Sequence, residues 1–190
     1  MRTSPGRAAL RSGGVKLLGG RWRGRRLRTP PDSRPTQARV REALFSHWGD
    51  RVLRCRFLEL YAGSGCVSLE ALSRGAAEAV AIDCDRRALA CMEANRERLG
   101  ADGLSIRRAR LPEDLDRATA TQAAFDLAFV DPPYDARRLQ GLLVAVAGLM
   151  AGGGEVVLEH SSRRRTPSAA GPLRLTGSRR YGDSALTFYG

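Results

Sequence analysis

Four consecutive residues, Asp131-Pro132-Pro133-Tyr134, are the part of this chain best suited to chemistry on a planar amino group. The apolar run at 125–130 reads as a buried strand, so the four stand at a strand's C-terminal end. Two prolines cannot donate backbone hydrogen bonds, and their fixed φ holds the turn in one shape with a carbonyl free to accept. Asp131 is a further acceptor, and Tyr134 offers a flat face on which a base can stack. In isolation these four residues would be a rigid loop. Their weight comes from a second motif upstream.

That motif is Phe57-Leu58-Glu59-Leu60-Tyr61-Ala62-Gly63-Ser64-Gly65, a strand running into a glycine-rich turn before a helix. Gly63 and Gly65 permit tight backbone angles and close approach of a ligand. A dinucleotide turn wants a third glycine, so that a helix N-terminus meets a pyrophosphate. Here Ser68 stands in that place, and Glu59 would repel phosphate. An acidic residue fits a cationic ligand instead, and S-adenosylmethionine carries a sulfonium, an amino group and no phosphate. Asp83, expected to end the second strand, can accept both hydroxyls of a ribose. The candidate cofactor residues are thus Glu59, Ala62, Gly63, Ser64, Gly65 and Asp83. Asp85 is read as facing solvent or capping the helix that begins at residue 86.

The elements that must position these residues alternate. Strand signals fall at 56–61, 79–83, 104–108, 125–131 and 155–159, and helix signals at 67–74, 86–99, 113–117 and 137–150. Such alternation predicts an α/β fold, a parallel sheet with helices on both faces. Segments 173–180 and 185–189, split by Gly182-Asp183-Ser184, predict an antiparallel hairpin at one edge. Thr36 is a candidate N-cap for a helix at 37–48, whose apolar residues Val40, Ala43, Leu44 and Trp48 keep helical spacing. Arg39 and Arg41 are free in this reading to point elsewhere.

Charge divides the chain. The net charge is +12, and residues 1–54 hold 14 of the 32 Lys+Arg but 3 of the 20 Asp+Glu. Lys16 is the sole lysine; coding bias can explain arginine over lysine but not this asymmetry. A nearly neutral body with a basic front suggests an arm that binds a polyanion. Residues 1–14 read as a disordered basic tail, 15–35 as a β-hairpin and linker that grips nucleic acid, and 36–190 as the main domain. In the arm, Arg21, Arg23, Arg25, Arg26 and Arg28 would hold phosphates, with Trp22 as a stacking residue, and Arg34 and Arg39 would line the groove between arm and core. Arg163-Arg164-Arg165 is a loop with even claims to solvent and to nucleic acid. Cys55, Cys66, Cys84 and Cys91 form no C-x-x-C pair, which argues against a metal and for buried free thiols. His47 and His160 read as structural. No apolar run nears the length of a membrane span, which leads us to expect a cytoplasmic protein with no membrane partner.

The motifs resemble those of class I S-adenosylmethionine-dependent methyltransferases with an amino-methylating D/N-P-P-Y signature. More specifically, Gly24-Arg25-Arg26-Leu27, Arg34-Pro35-Thr36, Arg39-Val40-Arg41-Glu42-Ala43-Leu44-Phe45, Ala62-Gly63-Ser64-Gly65, Leu69-Glu70-Ala71-Leu72-Ser73-Arg74-Gly75-Ala76 and Asp131-Pro132-Pro133-Tyr134 resemble the bacterial 16S rRNA guanine-N2 methyltransferase family, RsmD. The resemblance implies a Rossmann-like fold with a mostly parallel seven-stranded sheet, a C-terminal antiparallel hairpin and a small N-terminal basic hairpin. It implies S-adenosylmethionine as cofactor, 16S rRNA as substrate within a 30S subunit or assembly intermediate, and Asp131, Pro132, Pro133 and Tyr134 as the catalytic residues. Ala109-Arg110-Leu111 lacks the Asp or Asn with which related enzymes commonly read adenine. Competing expectations are a DNA amino-methyltransferase acting on adenine or cytosine, a protein-glutamine methyltransferase, and a non-catalytic RNA-binding assembly module.

Overall fold

A computed structural model describes residues 14–30, 36–120, 122–133 and 139–190. Nearly all of the expected tail, most of the linker, Arg34 and Tyr134 lie outside the described residues. Strands β1 (Val15–Lys16) and β2 (Arg26–Leu27) pair antiparallel as the small hairpin. Helix α1 (Ala38–Trp48) follows, with Gln37 rather than Thr36 at its N-cap and no side-chain cap bond.

The main sheet is built from β3 (Arg56–Leu60), β4 (Glu78–Asp83), β5 (Leu104–Arg108), β6 (Phe125–Val130), β7 (Met150–Ser161), β8 (Ala169–Ala170), β9 (Leu173–Tyr181) and β10 (Ser184–Tyr189). Their order is β5-β4-β3-β6-β7-β10-β9-β8. The first five pair parallel, and β10 lies antiparallel between β7 and β9. The expected seven strands are joined by an eighth of two residues at the edge. Crossovers are made by α2 (Cys66–Ser73), α3 (Arg86–Leu99), α4 (Leu115–Thr119) and α5 (Leu139–Ala147). β7 starts five residues earlier than its apolar run predicts, because Gly152-Gly153-Gly154 carries no strand signal yet lies in the strand.

Both faces of the sheet are covered, so its central strands are apolar on both sides. Phe57, Phe129 and Val157 pack under α1, α2 and α3, in one cluster with Leu44, Trp48, Leu72 and Met92. Leu58, Ala128 and Val156 face α4 and α5 and meet Leu115, Leu143 and Val146.

The hairpin is not a separate module. Leu17, Trp22 and Leu27 belong to the same core as α1 and α2. Its main chain is bonded to α2: Arg21 N–H donates to the Ser73 carbonyl (2.7 Å), Trp22 N–H to Ser73 Oγ (2.9 Å), and Leu18 N–H to the Glu70 carboxylate (3.2 Å). Gly20, at φ +73°, comes so close that a Cβ would collide with the Ser73 carbonyl. Among the described residues no helix is long and apolar enough to cross a membrane.

Candidate functional site

The site lies where β3, β4, β6 and β7 end. After β3 the chain turns sharply: Tyr61 has φ +60°, Gly63 +55° and Gly65 +70°. A left-handed tyrosine is strained, and strain of this kind gathers at ligand-binding turns. Three bonds that involve side chains hold the turn. Gly63 N–H donates to Asp83 Oδ2 (2.8 Å), which ties it to the end of β4. Ser68 N–H, in the first turn of α2, donates to Glu59 Oε2 (2.8 Å) from beneath. The Ser64 carbonyl accepts from Asn95 Nδ2 on α3 (3.1 Å). Ala62 is buried behind it.

The proline corner opens beside this turn. Asp131 N–H donates to the Leu60 carbonyl (3.4 Å), the last residue of β3 before the glycine turn. Pro132 is buried and Pro133 exposed. The glycine turn, Asp83 and Asp131 therefore share one rim, as the motifs require.

The rim is acidic. Burial raises the Glu59 carboxyl to about 7; the hydrogen bonds from Ser68 pull the other way, and Asp83 adds repulsion. Asp131 is raised well above the usual range, first by burial, then by Glu159 and Glu59. Glu159, buried at the end of β7, is raised by burial and accepts a bond from Ser184. A cation placed here would favour ionisation on this rim. Glu59 sits 3 % exposed under the turn and accepts from Ser68 N–H.

Next to Asp83 a cavity of about 580 Å³ is lined by Cys84, Arg108, Ala109, Arg110, Glu113, Asp114 and Arg117. The sequence left this region without an acid, yet Glu113 and Asp114 line it from the following segment. Cys84 is exposed, against expectation, whereas Cys55, Cys66 and Cys91 are buried free thiols. Asp85 does cap α3, accepting from Arg87 N–H (2.8 Å).

Arg21, Arg23, Arg25, Arg26, Arg28 and Arg39 are exposed. Trp22 is not a free stacking platform: it is 9 % exposed, its indole inserted in the core with the Arg21 guanidinium 4.0 Å above the ring. Arg41, expected to be free, is 1 % exposed. It donates from Nη2 to the Lys16 carbonyl (2.8 Å) and lies 3.9 Å from Glu70. Sequence reasoning had no signal for Glu70, Asn95 or Glu159, whose importance rests on burial set by distant segments. Both histidines are structural: His47 meets Glu155 (3.1 Å) and His160 meets Thr187 Oγ1 (2.7 Å).

The family model described as Conserved hypothetical protein 95 matches residues 15–190. Ribosomal RNA small subunit methyltransferase D of Escherichia coli (strain K12) is 37% identical over 145 residues, 75% of this chain and 70% of that protein. Release factor glutamine methyltransferase of Bordetella pertussis is 39% identical over 128 residues but is matched over 44% of its length. A solved structure of a hypothetical protein from Thermus thermophilus superposes with a TM-score of 0.79 at 38% identity, covering 92% of this chain and 98% of that one. The family model spans the basic arm and the whole sheet, and the Escherichia coli protein is 37% identical with 70% of its length covered: the chain belongs to the family of ribosomal RNA small subunit methyltransferase D, RsmD.

Proposed function

We propose that this protein methylates the exocyclic N2 amine of a guanine in 16S rRNA, presented in a 30S subunit or an assembly intermediate. Family membership by itself makes it an S-adenosylmethionine-dependent rRNA methyltransferase. The observation that supports an amine as acceptor is the bond from Asp131 N–H to the Leu60 carbonyl, which sets the proline corner against the glycine turn; guanine is the reading that the family resemblance adds.

The residues present fit the cofactor. When bound, S-adenosylmethionine supplies an electrophilic methyl on a sulfonium, and this rim is acidic. Asp83 reaches the ribose hydroxyls, Gly63 and Gly65 let the backbone approach, and Ser64 completes the turn. Glu113 and Asp114 supply the acceptors for an adenine amine that Ala109-Arg110-Leu111 lacks. Glu59 keeps the turn in place.

The guanine amine is a poor nucleophile, its lone pair delocalised into the ring. Asp131 and the Pro132 carbonyl accept its two N–H bonds and localise that lone pair toward the methyl. Alignment contributes the gain of an intramolecular step. Pro133 stiffens the corner, and Tyr134 stacks on the base once it leaves its neighbours. Arg21, Arg23, Arg25, Arg26, Arg28, Arg34 and Arg39 hold the RNA backbone.

The test is transfer of labelled methyl groups to 16S RNA, naked and in 30S particles, followed by nucleoside analysis. N2-methylguanosine is expected; methyladenosine or methylcytidine would refute the guanine reading. Asp131→Ala should abolish turnover and leave cofactor affinity within about threefold, because its role is transition-state alignment.

A further inference from the structure

Glu159 has no part in the mechanism above, yet its placement is hard to explain as packing. In the parallel pairing of β6 and β7, Val130 lies opposite Leu158. Asp131 and Glu159 are the next residues on each strand, and side chains alternate between faces. Val130 and Leu158 pack under α5. Asp131 and Glu159 therefore lie side by side on the other face, the one that carries Glu59.

Glu159 is 6 % exposed. Ser184 on β10 bonds one side of its carboxylate, but Oε2 is buried with no hydrogen-bond partner among the described residues. A buried carboxylate oxygen left bare is costly. It ceases to be bare if it carries a proton and points it at the neighbouring carboxylate.

Among the described residues, the charged groups around the pair are few. Facing Asp131 are Glu159 from β7 and Glu59 from β3. Glu159 in turn faces Asp131 and accepts from the Ser184 hydroxyl of β10. Asp83 on β4 faces Glu59. The nearby buried cation from α1, Arg41, is turned to Glu70 and the Lys16 carbonyl. Among the described residues, the carboxyls do not form a group that could hold a metal ion. Without a cation, two adjacent carboxyls hold one proton between them.

We propose that Glu159 is a positioning residue for methyl transfer: it shares one proton with Asp131, turning that carboxylate so that its outer oxygen accepts the N–H of the target amine. The inference deepens the proposed function and rests on the Asp131 role given there. As the amine nitrogen bonds the methyl, the carbon–sulfur bond breaks with its electron pair going to sulfur, leaving a neutral thioether. The methylated nitrogen then loses its proton to Asp131, and the N–H electron pair returns to nitrogen. The carboxyl pair ends with two protons and gives one to solvent as product departs.

The active form is thus the singly protonated pair, and kcat should follow a bell in pH. The acid limb marks addition of the second proton, and the alkaline limb marks loss of the shared one. Glu159→Gln replaces the shared proton with an amide N–H that cannot ionise. It should retain kcat to within about tenfold, with an unchanged dissociation constant for S-adenosylhomocysteine and no alkaline limb. Glu159→Ala, which leaves Asp131 without that donor, should lose about a hundredfold or more in kcat at similar cofactor affinity.

The assay is labelled methyl transfer to 30S particles, with pH profiles for the wild type and both variants and calorimetry with S-adenosylhomocysteine to show that each is folded. A bell that persists in Glu159→Gln overturns the proposal. So does a folded Glu159→Gln that is as inactive as Glu159→Ala, or a Glu159→Ala with wild-type kcat. If the same products prove not to be N2-methylguanosine while the alkaline limb still vanishes, the guanine reading fails and the shared proton stands.

Discussion

Replacing Asn95 with leucine tests how the basic arm and the cofactor turn are joined. Asn95 is fully buried on α3. Its Oδ1 accepts from Arg28 N–H (2.8 Å), and its Nδ2 donates to the Arg28 carbonyl (3.0 Å) and the Ser64 carbonyl (3.1 Å). Leucine keeps the branched four-atom outline of the side chain, but its methyl groups are bulkier, so overpacking adds to the cost of the polar groups left bare. The Arg28 carbonyl keeps the Cys91 thiol as donor (3.1 Å). Arg28 N–H and the Ser64 carbonyl lose their partner, at roughly 1–3 kcal/mol for each buried group. Arg28 is exposed and regains part of its bond from water, whereas Ser64 is 5 % exposed and does not. The expected loss is about 3 kcal/mol, read as a lower urea midpoint at unchanged m-value. Since Ser64 stands between Gly63 and Gly65, cofactor affinity measured by calorimetry should fall about tenfold, or ~1.4 kcal/mol. Asn95→Asp should be worse, because it sets a carboxylate against the Ser64 carbonyl. A midpoint within error of wild type, with unaltered affinity, would refute the claim that this side chain ties the two segments together.

Other outcomes follow from the same geometry. Glu70→Gln leaves the buried Arg41 without its counter-ion and should cost about 3–5 kcal/mol in urea unfolding. Glu59 is raised from 4.5 to about 7 in the folded state, so its stabilising contribution is complete below about 4.5 and is lost as pH rises through about 7; ligand-free protein should weaken across that window in denaturation series. A cation on the rim favours its ionised form, so S-adenosylmethionine binding near pH 6.5 should release protons, seen as a buffer-dependent calorimetric heat. Burial lifts the thiols of Cys55 to about 12 and of Cys66 and Cys91 to about 11, which leaves exposed Cys84 as the thiol that iodoacetamide labels in native protein. Because Cys84 lines the cavity beside Asp83, saturating S-adenosylmethionine should slow that labelling.

The legible parts of the sequence were those written in local signals. Helix α3 and strand β5 coincide with their expected bounds, since each carries its own period and its own stops: Asp85 caps one, and Gly100 at φ +61° ends it. The glycine turn and proline corner were legible because their chemistry demands particular residues at particular strand ends. Burial was the illegible quantity. Trp22 looks like a stacking residue among arginines, and Arg41 like a surface charge on a helix; each is buried by a segment far away in the chain. Glu159 follows an apolar run and resembles the polar end of a strand until β10 closes over it. Glu113 and Asp114 became visible as cavity walls once the chain folded back past Ala109.

The atoms of the arm divide between the fold and the solvent, and that division makes the proposed role of its charges testable. Its main chain belongs to the fold: Lys16, Leu18, Arg21, Trp22, Arg26 and Arg28 give backbone bonds to Arg41, Glu70, Ser73, Arg98 and Asn95. Its apolar side chains, Leu17, Trp22 and Leu27, belong to the core. The guanidinium groups of Arg23, Arg25 and Arg26 stand in solvent. Clustered like charges repel one another, so they add nothing to stability, and their proposed task is to hold the RNA backbone. Changing Arg23, Arg25 and Arg26 together to glutamine should therefore leave the unfolding free energy in urea within about 0.5 kcal/mol of wild type, while the slope of log affinity for RNA against log salt falls by about 2–3. Trp22→Ala should behave in the opposite way, losing about 3–5 kcal/mol because it empties part of the core. If the triple variant unfolds as readily as Trp22→Ala, those arginines are structural; if its salt slope equals that of the wild type, the RNA backbone lies elsewhere on the protein.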